Sequence, residues 1–151
     1  MRRAASFSVT HINQRIMASI SQTKATLRII GDDLLPEDIT DSLGGFPTSC
    51  QAKGQEIIAK SGKVRVATTG LWRLTATDQL PGDLDAQVSE ILDQLTDNLD
   101  AWQELSDNYR IDLYCGVFLG GSMEGLRLSA ESLLKLGERN ILLDMDIYGP
   151  D

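Results

Sequence analysis

The sequence predicts an α+β fold. The expected form is a two-layer sandwich: a mixed, mainly antiparallel sheet of about five strands, with helices packed on a face and ferredoxin-like connections. Three observations predict it. Short stretches alternate apolar and polar residues with period two, as half-buried strands do. Between them, Leu84 to Leu105 places Leu84, Val88, Ile91, Leu92, Leu95, Leu99, Trp102 and Leu105 at spacings of three and four, the mark of one helix face. The order of these signals along the chain is β-α-β-β-α-β-α-β, in which strands and helices are mixed rather than strictly alternating.

Each element has its own local reason. Residues 1–22 contain Arg and Ser but no acid and no continuous apolar core, and read as a flexible N-terminal tail; Met17 is an alternative start. Residues 23–151 read as a single domain. Lys24 to Ile30 is the first strand, with Ala25, Leu27 and Ile29 on one face. Pro36 to Leu43 is a short helix, since proline suits a first helical position, Glu37 and Asp38 suit the helix start, and Gly44-Gly45 stop it. Gly45 to Gly54 is a loop. Glu56 to Lys60 is a strand that turns at Ser61-Gly62. From Val64 to Ala76 the even positions are mostly apolar, which reads as one long strand bent at Gly70; a hairpin at Thr69-Gly70 is the alternative.

Asp83 is placed to cap the helix that starts at Leu84. Thr96-Asp97-Asn98 are weak helix formers and mark where that helix would break in two. Ile111 to Leu119 is a strand with Ile111, Leu113, Cys115, Val117 and Leu119 on one face. Ser129 caps a short helix, Ala130 to Leu136, ended by Gly137. Asn140 to Ile147 is the last strand, with Ile141, Leu143, Met145 and Ile147 alternating with Leu142, Asp144 and Asp146.

Composition bounds the function. A chain of 151 residues with 42% apolar content buries roughly 70% of its unfolded surface and needs no disulfide staples. Its two cysteines, Cys50 and Cys115, make no disulfide framework and fit a reducing, cytoplasmic location. No apolar run approaches the roughly 20 residues that span a bilayer. The net charge is −8, and the five bases before Asp32 stand without an acid, so the body is more acidic still. An acidic body repels phosphate backbones, which argues against nucleic acid, and attracts basic partners. The one histidine, His11, lies in the tail, so histidine catalysis and zinc binding find no support. Nor does any G-x-S-x-G nucleophile motif occur.

Two candidate sites remain. The first is an acidic stripe, Glu90, Asp93, Asp97, Asp100 and Glu104, which repeats with helical spacing in a region, Leu74 to Tyr109, that has no Lys or Arg. It would dock a basic partner; the plainer reading is a solvated helix face. The second is a sheet-face cluster of Arg28, Asp32, Arg73, Asp144 and Asp146. Asp144 and Asp146 share a strand face and would hold a hard cation with Asp112 or Asp32, or would pair with Arg28, Arg65 or Arg73 on neighbouring strands, the more economical reading. Trp72 and Trp102 would stack on a ligand or, more simply, fill the core. Gly120-Gly121-Ser122 would cradle an anion or form a tight connection.

One pattern carries a resemblance. A strand runs into Gly31-Asp32, then come Pro36-Glu37-Asp38-Ile39-Thr40 with Leu43, then Pro47-Thr48, Gly54 and a strand with Trp72. The chain ends in Leu143-Asp144-Met145-Asp146-Ile147-Tyr148. This resembles the bacterial family catalogued as domain of unknown function 4279, over about residues 24–148. The resemblance implies no reaction. Through small acidic relatives that sit beside contact-dependent toxins, it points to an immunity role.

The expectation is therefore a non-catalytic, cytoplasmic protein-binding domain that meets a basic protein partner through the acidic stripe, with no cofactor, no metal, no nucleic acid and no membrane. The alternative is a small-molecule- or metal-binding domain built on the sheet-face cluster.

Overall fold

Alternation at the start of the chain builds the centre of the sheet. The computed structural model describes residues 18–150; His11, Met17 and the rest of the tail before Ala18 lie outside the described residues. The elements in chain order are β1 (Ala18–Ser19), β2 (Gln22–Gly31), α1 (Pro36–Leu43), β3 (Ser49–Gln51), β4 (Glu56–Ile58), β5 (Val64–Val66) and β6 (Gly70–Thr75), then α2 (Leu84–Leu92), α3 (Leu99–Asn108), β7 (Arg110–Phe118), β8 (Glu124–Gly125), α4 (Ala130–Glu138) and β9 (Leu142–Tyr148). The main sheet has five strands in the order β3-β6-β2-β7-β9. All its pairs are antiparallel except β7 with β9, which is parallel. A parallel pair needs a long crossover, and the segment containing α4 supplies it. β4 and β5 form a separate antiparallel hairpin, and β1 pairs with β8. The expected α+β architecture with a mixed five-strand sheet is thus present.

One sheet face makes the core. Leu27 and Ile29 of β2, Trp72 and Leu74 of β6, and Leu113 and Cys115 of β7 are all buried, as the alternation requires. Over them lie Ile39 and Leu43 of α1, Val88 and Ile91 of α2, Trp102 and Leu105 of α3, and Leu136 of α4. The opposite parity is polar: Lys24, Thr26 and Arg28 on β2, Arg73 and Thr75 on β6, Tyr114 on β7. That face stays open.

The long periodic segment does break in two, at Asp93–Asn98. Asp83 caps α2 by accepting from the Ala86 N–H (3.0 Å), and Asn98 caps α3 by accepting from the Asp100 N–H (3.0 Å). Between them Leu95 turns inward, and the Thr96 N–H donates to the Leu43 carbonyl. Trp102 Nε1 donates to the Thr96 carbonyl at 2.8 Å, so the break is held rather than loose.

Four local readings need correction. First, residues 64–76 are two strands in different sheets, and neither one bent strand nor a hairpin at Thr69-Gly70. Gly70 explains the division. A Cβ there would stand 2.5 Å from the Gly31 carbonyl oxygen and 2.9 Å from Leu34 Cβ, so β6 begins hard against the end of β2. β5 turns away to pair with β4, and Val64 and Val66, though on the apolar parity, are 56% exposed. Second, α4 runs past Gly137 to Glu138, and the left-handed residue that follows is Asn140 (φ 55°). Third, Ile141 and Leu143 reach the core, but Met145 and Ile147 do not, because β9 is an edge strand that outruns the helices. Fourth, the loop at Gly45 to Gly54 contains the edge strand β3. At the other end, the described residues begin at Ala18, inside the 1–22 stretch, with Ile20 buried and β2 starting at Gln22.

One side-chain bond fastens α2 to α4. Asp85 accepts from the Ser129 N–H at 2.9 Å, and that bond holds its carboxyl below the usual carboxylate range. A depressed folded pKa adds stability that is complete above the unfolded pKa of about 4 and is lost as pH falls through the folded value. Asp85→Asn is expected to cost about 1 kcal/mol at neutral pH, less than a buried charged bond because the group meets solvent. It should cost nothing once the wild-type carboxylate is protonated. Urea unfolding at pH 7 and at pH 3 checks this; an equal loss at both would reject it.

Candidate functional site

The register of the sheet decides which polar side chains meet on the open face. Arg28 on β2 stands between Arg73 on β6 and Asp112 on β7. One row along, Thr26 faces Tyr114, and Tyr114 faces Asp144 on β9; Gly116 then faces Asp146, and Phe118 faces Tyr148.

At the centre is a carboxylate under two guanidiniums. Arg28 forks onto Asp112, Nε to Oδ1 at 2.7 Å and Nη2 to Oδ2 at 2.8 Å. Arg110 Nη2 reaches the same Oδ2 at 3.2 Å. Asp112 has no solvent exposure at all, although among the described residues no helix covers this face. The two arginines and the sheet bury it between them. Asp144 lies 3.7 Å from both Arg28 and Arg110, which closes a cluster of two bases and two acids. The Arg28 guanidinium also lies 4.5 Å from the centroid of the Tyr114 ring. The Asp112 hydrogen bonds push the Arg28 pKa upward, so this charge is permanent.

Beside the cluster, the Tyr114 hydroxyl donates to Asp146, and that bond pushes the phenol well above its ordinary pKa. Phe118 and Tyr148 stack at 4.9 Å. Lys24 pairs with Asp78 at 3.4 Å.

Of the predicted cluster, the fold brings Arg28 and Asp144 into contact and puts Asp146 on the neighbouring row. Asp32 is not part of it. It sits in the turn after β2 and pairs with Lys53 at 2.9 Å, whose hydrogen bond holds the carboxyl below its usual range. Arg73 shares the face but makes no ion pair among the described residues. Sequence reasoning named Asp112 only as a helper and did not single out Arg110 or Tyr114. The i, i+2 spacing of Arg110, Asp112 and Tyr114 was the available signal, since it puts all three on the polar parity of an otherwise apolar strand. Among the described residues no group of three or more His, Cys, Asp or Glu side chains is arranged to hold a metal ion.

The acidic stripe is divided by the helix break. Glu90, on α2, turns back to accept from the Thr77 N–H (2.8 Å) and the Thr77 hydroxyl (2.7 Å). It fastens the loop after β6 and leaves the acidic surface. Asp93 and Asp97 lie in or beside the connection, Asp100 and Glu104 lie on α3, and these four are exposed.

The remaining candidates are structural. Trp72 and Trp102 are fully buried, and each indole N–H has a partner, Thr40 Oγ1 at 3.1 Å and the Thr96 carbonyl at 2.8 Å. The Gly120 N–H donates to both oxygens of Glu124 at 3.0 Å, so this turn's own glutamate occupies the cradle. Both cysteines are free thiols: Cys50 is exposed, while burial pushes the Cys115 thiol up to about 12.

A four-helix layer on one side of a mixed sheet, with an open polar face on the other, defines a two-layer α+β domain of the open-sheet kind. No helix among the described residues is long and apolar enough to cross a membrane. The chain belongs to the family described as Domain of unknown function (DUF4279), whose model matches residues 21–150. No curated protein and no solved structure matches it.

Proposed function

We propose that this is a non-catalytic protein-binding domain that offers its acidic helical layer to a basic protein partner. The observation that carries the reading is the concentration of acids on α2, α3 and the connection between them. Residues 84–108 hold seven acidic and no basic side chains. Asp93, Asp97, Asp100 and Glu104 are exposed there. The nearest bases, Lys135 and Arg139 at α4, border Asp93 and Asp97 but are each paired with a glutamate. A surface with an excess of one sign speeds encounter with an oppositely charged partner and sets its orientation. The sharpest form of this reading is an immunity-type inhibitor that covers a basic active site, which needs no chemistry of its own.

The sheet-face carboxylates support the non-catalytic part. Asp112 and Asp144 are held by guanidiniums and Asp146 takes the Tyr114 hydroxyl, so each is already engaged. Two unbridged cysteines fit a reducing, cytoplasmic setting.

The test is capture of a partner from the native host's lysate at low and high salt, then titration of that partner against wild type and an Asp93→Asn, Asp97→Asn, Asp100→Asn variant. The expected result is binding about tenfold weaker in the variant, with a shallower dependence on salt. Unchanged affinity and unchanged salt dependence would show that the contact lies elsewhere.

A further inference from the structure

Among the described residues six of the eleven bases are paired: Lys24 with Asp78, Arg28 and Arg110 with Asp112, Lys53 with Asp32, Lys135 with Glu131, Arg139 with Glu138. Lys60, Lys63, Arg65, Arg73 and Arg127 are not, and of these Arg65 and Arg73 come together. Both are exposed, and among the described residues neither makes an ion pair; the one hydrogen bond from Arg65 goes to Gln51 Oε1 at 3.4 Å. They also line the same groove, a cleft of about 580 Å³ between the β4–β5 hairpin and the β3–β6 edge of the open face. Leu71 and Ile57, both part-buried, give it apolar wall, and exposed Cys50 lies on its lining. One carboxylate, Glu56, lines it too and is not within ion-pair distance of either arginine.

We propose that this groove is a binding site for a small organic anion, whose carboxylate or phosphate head lies against Arg65 and Arg73 and whose body rests on Leu71 and Ile57. The volume falls within the range of small-molecule sites. Guanidinium forks match carboxylate and phosphate oxygens two at a time, and a charged acceptor strengthens each bond. An acidic protein repels anions at long range, so two unpaired guanidiniums at one cleft mark where an anion can come close. The site is separate from the acidic helical layer and does not depend on it.

The probes are succinate and inorganic phosphate, titrated at fixed ionic strength into the full chain. The Nε–H resonances of Arg65 and Arg73 report binding. The expected result is a saturable shift of both resonances, with a Kd of about 1 mM or tighter. Arg65→Gln and Arg73→Gln, both at exposed positions, should each weaken binding about tenfold. Lys60→Gln, outside the groove lining, should leave it unchanged. Saturation by only one of the two probes supports the site and identifies its head group. Failure of both probes to saturate, or equal binding by wild type and the two arginine variants, would overturn the proposal.

Discussion

Asp112→Ala is expected to destabilise the fold by about 3 kcal/mol, the low end of what breaking a buried ion pair costs. The carboxylate is fully buried, and two hydrogen bonds from Arg28 and an ion pair from Arg110 converge on it. Without it, Arg28 has only the distant Asp144 at 3.7 Å, and its side chain is 22% exposed, too little for water to replace the lost fork. Arg110 is 60% exposed and rehydrates easily, which keeps the loss from being larger. The same contrast predicts that Arg110→Ala costs under about 1 kcal/mol. Asp112→Asn keeps one acceptor and should fall between wild type and Asp112→Ala. Denaturant titrations of the three variants check the order. An Asp112→Ala protein as stable as Arg110→Ala would mean that the carboxylate contributes little beyond what the outer arginine does.

The strands and helices that could be read from the sequence were those whose pattern is set by the one core. β2 and β7 lie side by side in the middle of the sheet; β2 burial alternates as its sequence does, and the apolar parity of β7 is buried throughout, with Asp112 and Gly116 buried on the other parity as well. α1 carried its own start and stop signals, and Gly44 takes the left-handed conformation at its end (φ 73°). What misled was parity without a partner. Val64, Val66, Met145 and Ile147 continue the apolar alternation of their neighbours but sit where no helix reaches, on the hairpin and on the edge strand. Alternation reports which side a residue faces, and only the packing of distant segments says whether that side is covered.

The candidate site was legible to a similar depth and failed for a related reason. Arg28, Arg73, Asp144 and Asp146 do share one face, because strand parity alone places them there. Strand order decided the rest. β9 docks on β7, so Asp144 meets Arg110 and Arg28, while β6 on the far side of β2 carries Arg73 toward the hairpin. Asp32 follows the last strand residue and turns out of the sheet to Lys53. The break between α2 and α3 could be foreseen from Thr96-Asp97-Asn98, but the turning of Glu90 toward Thr77 could not, since that contact joins α2 to the loop after β6.

Trp72→Ala should have the largest effect of any single substitution considered, about 4 kcal/mol. Trp72 is fully buried in the middle of β6, under α1, and its indole N–H donates to Thr40 Oγ1 at 3.1 Å. Truncation removes a large apolar area, leaves a cavity that the rigid sheet floor cannot close, and deprives Thr40 of its donor. Against a total stability of roughly 5–15 kcal/mol, such a loss lowers the melting temperature by roughly 8–16 °C. Trp72→Phe fills most of the cavity and loses only the N–H bond, so it should cost about half as much or less. The effect also has a direction in space. Cys50 on β3 is the register partner of Trp72, and β3 is held in the main sheet by β6 alone. Iodoacetamide should therefore alkylate Cys50 faster in Trp72→Ala under conditions where the variant is still folded by circular dichroism. An unchanged Cys50 rate alongside the full loss of stability would mean that β3 is anchored by its neighbouring turns, such as the Thr48 N–H bond to the Arg73 carbonyl at 2.7 Å, rather than by the tryptophan beneath it.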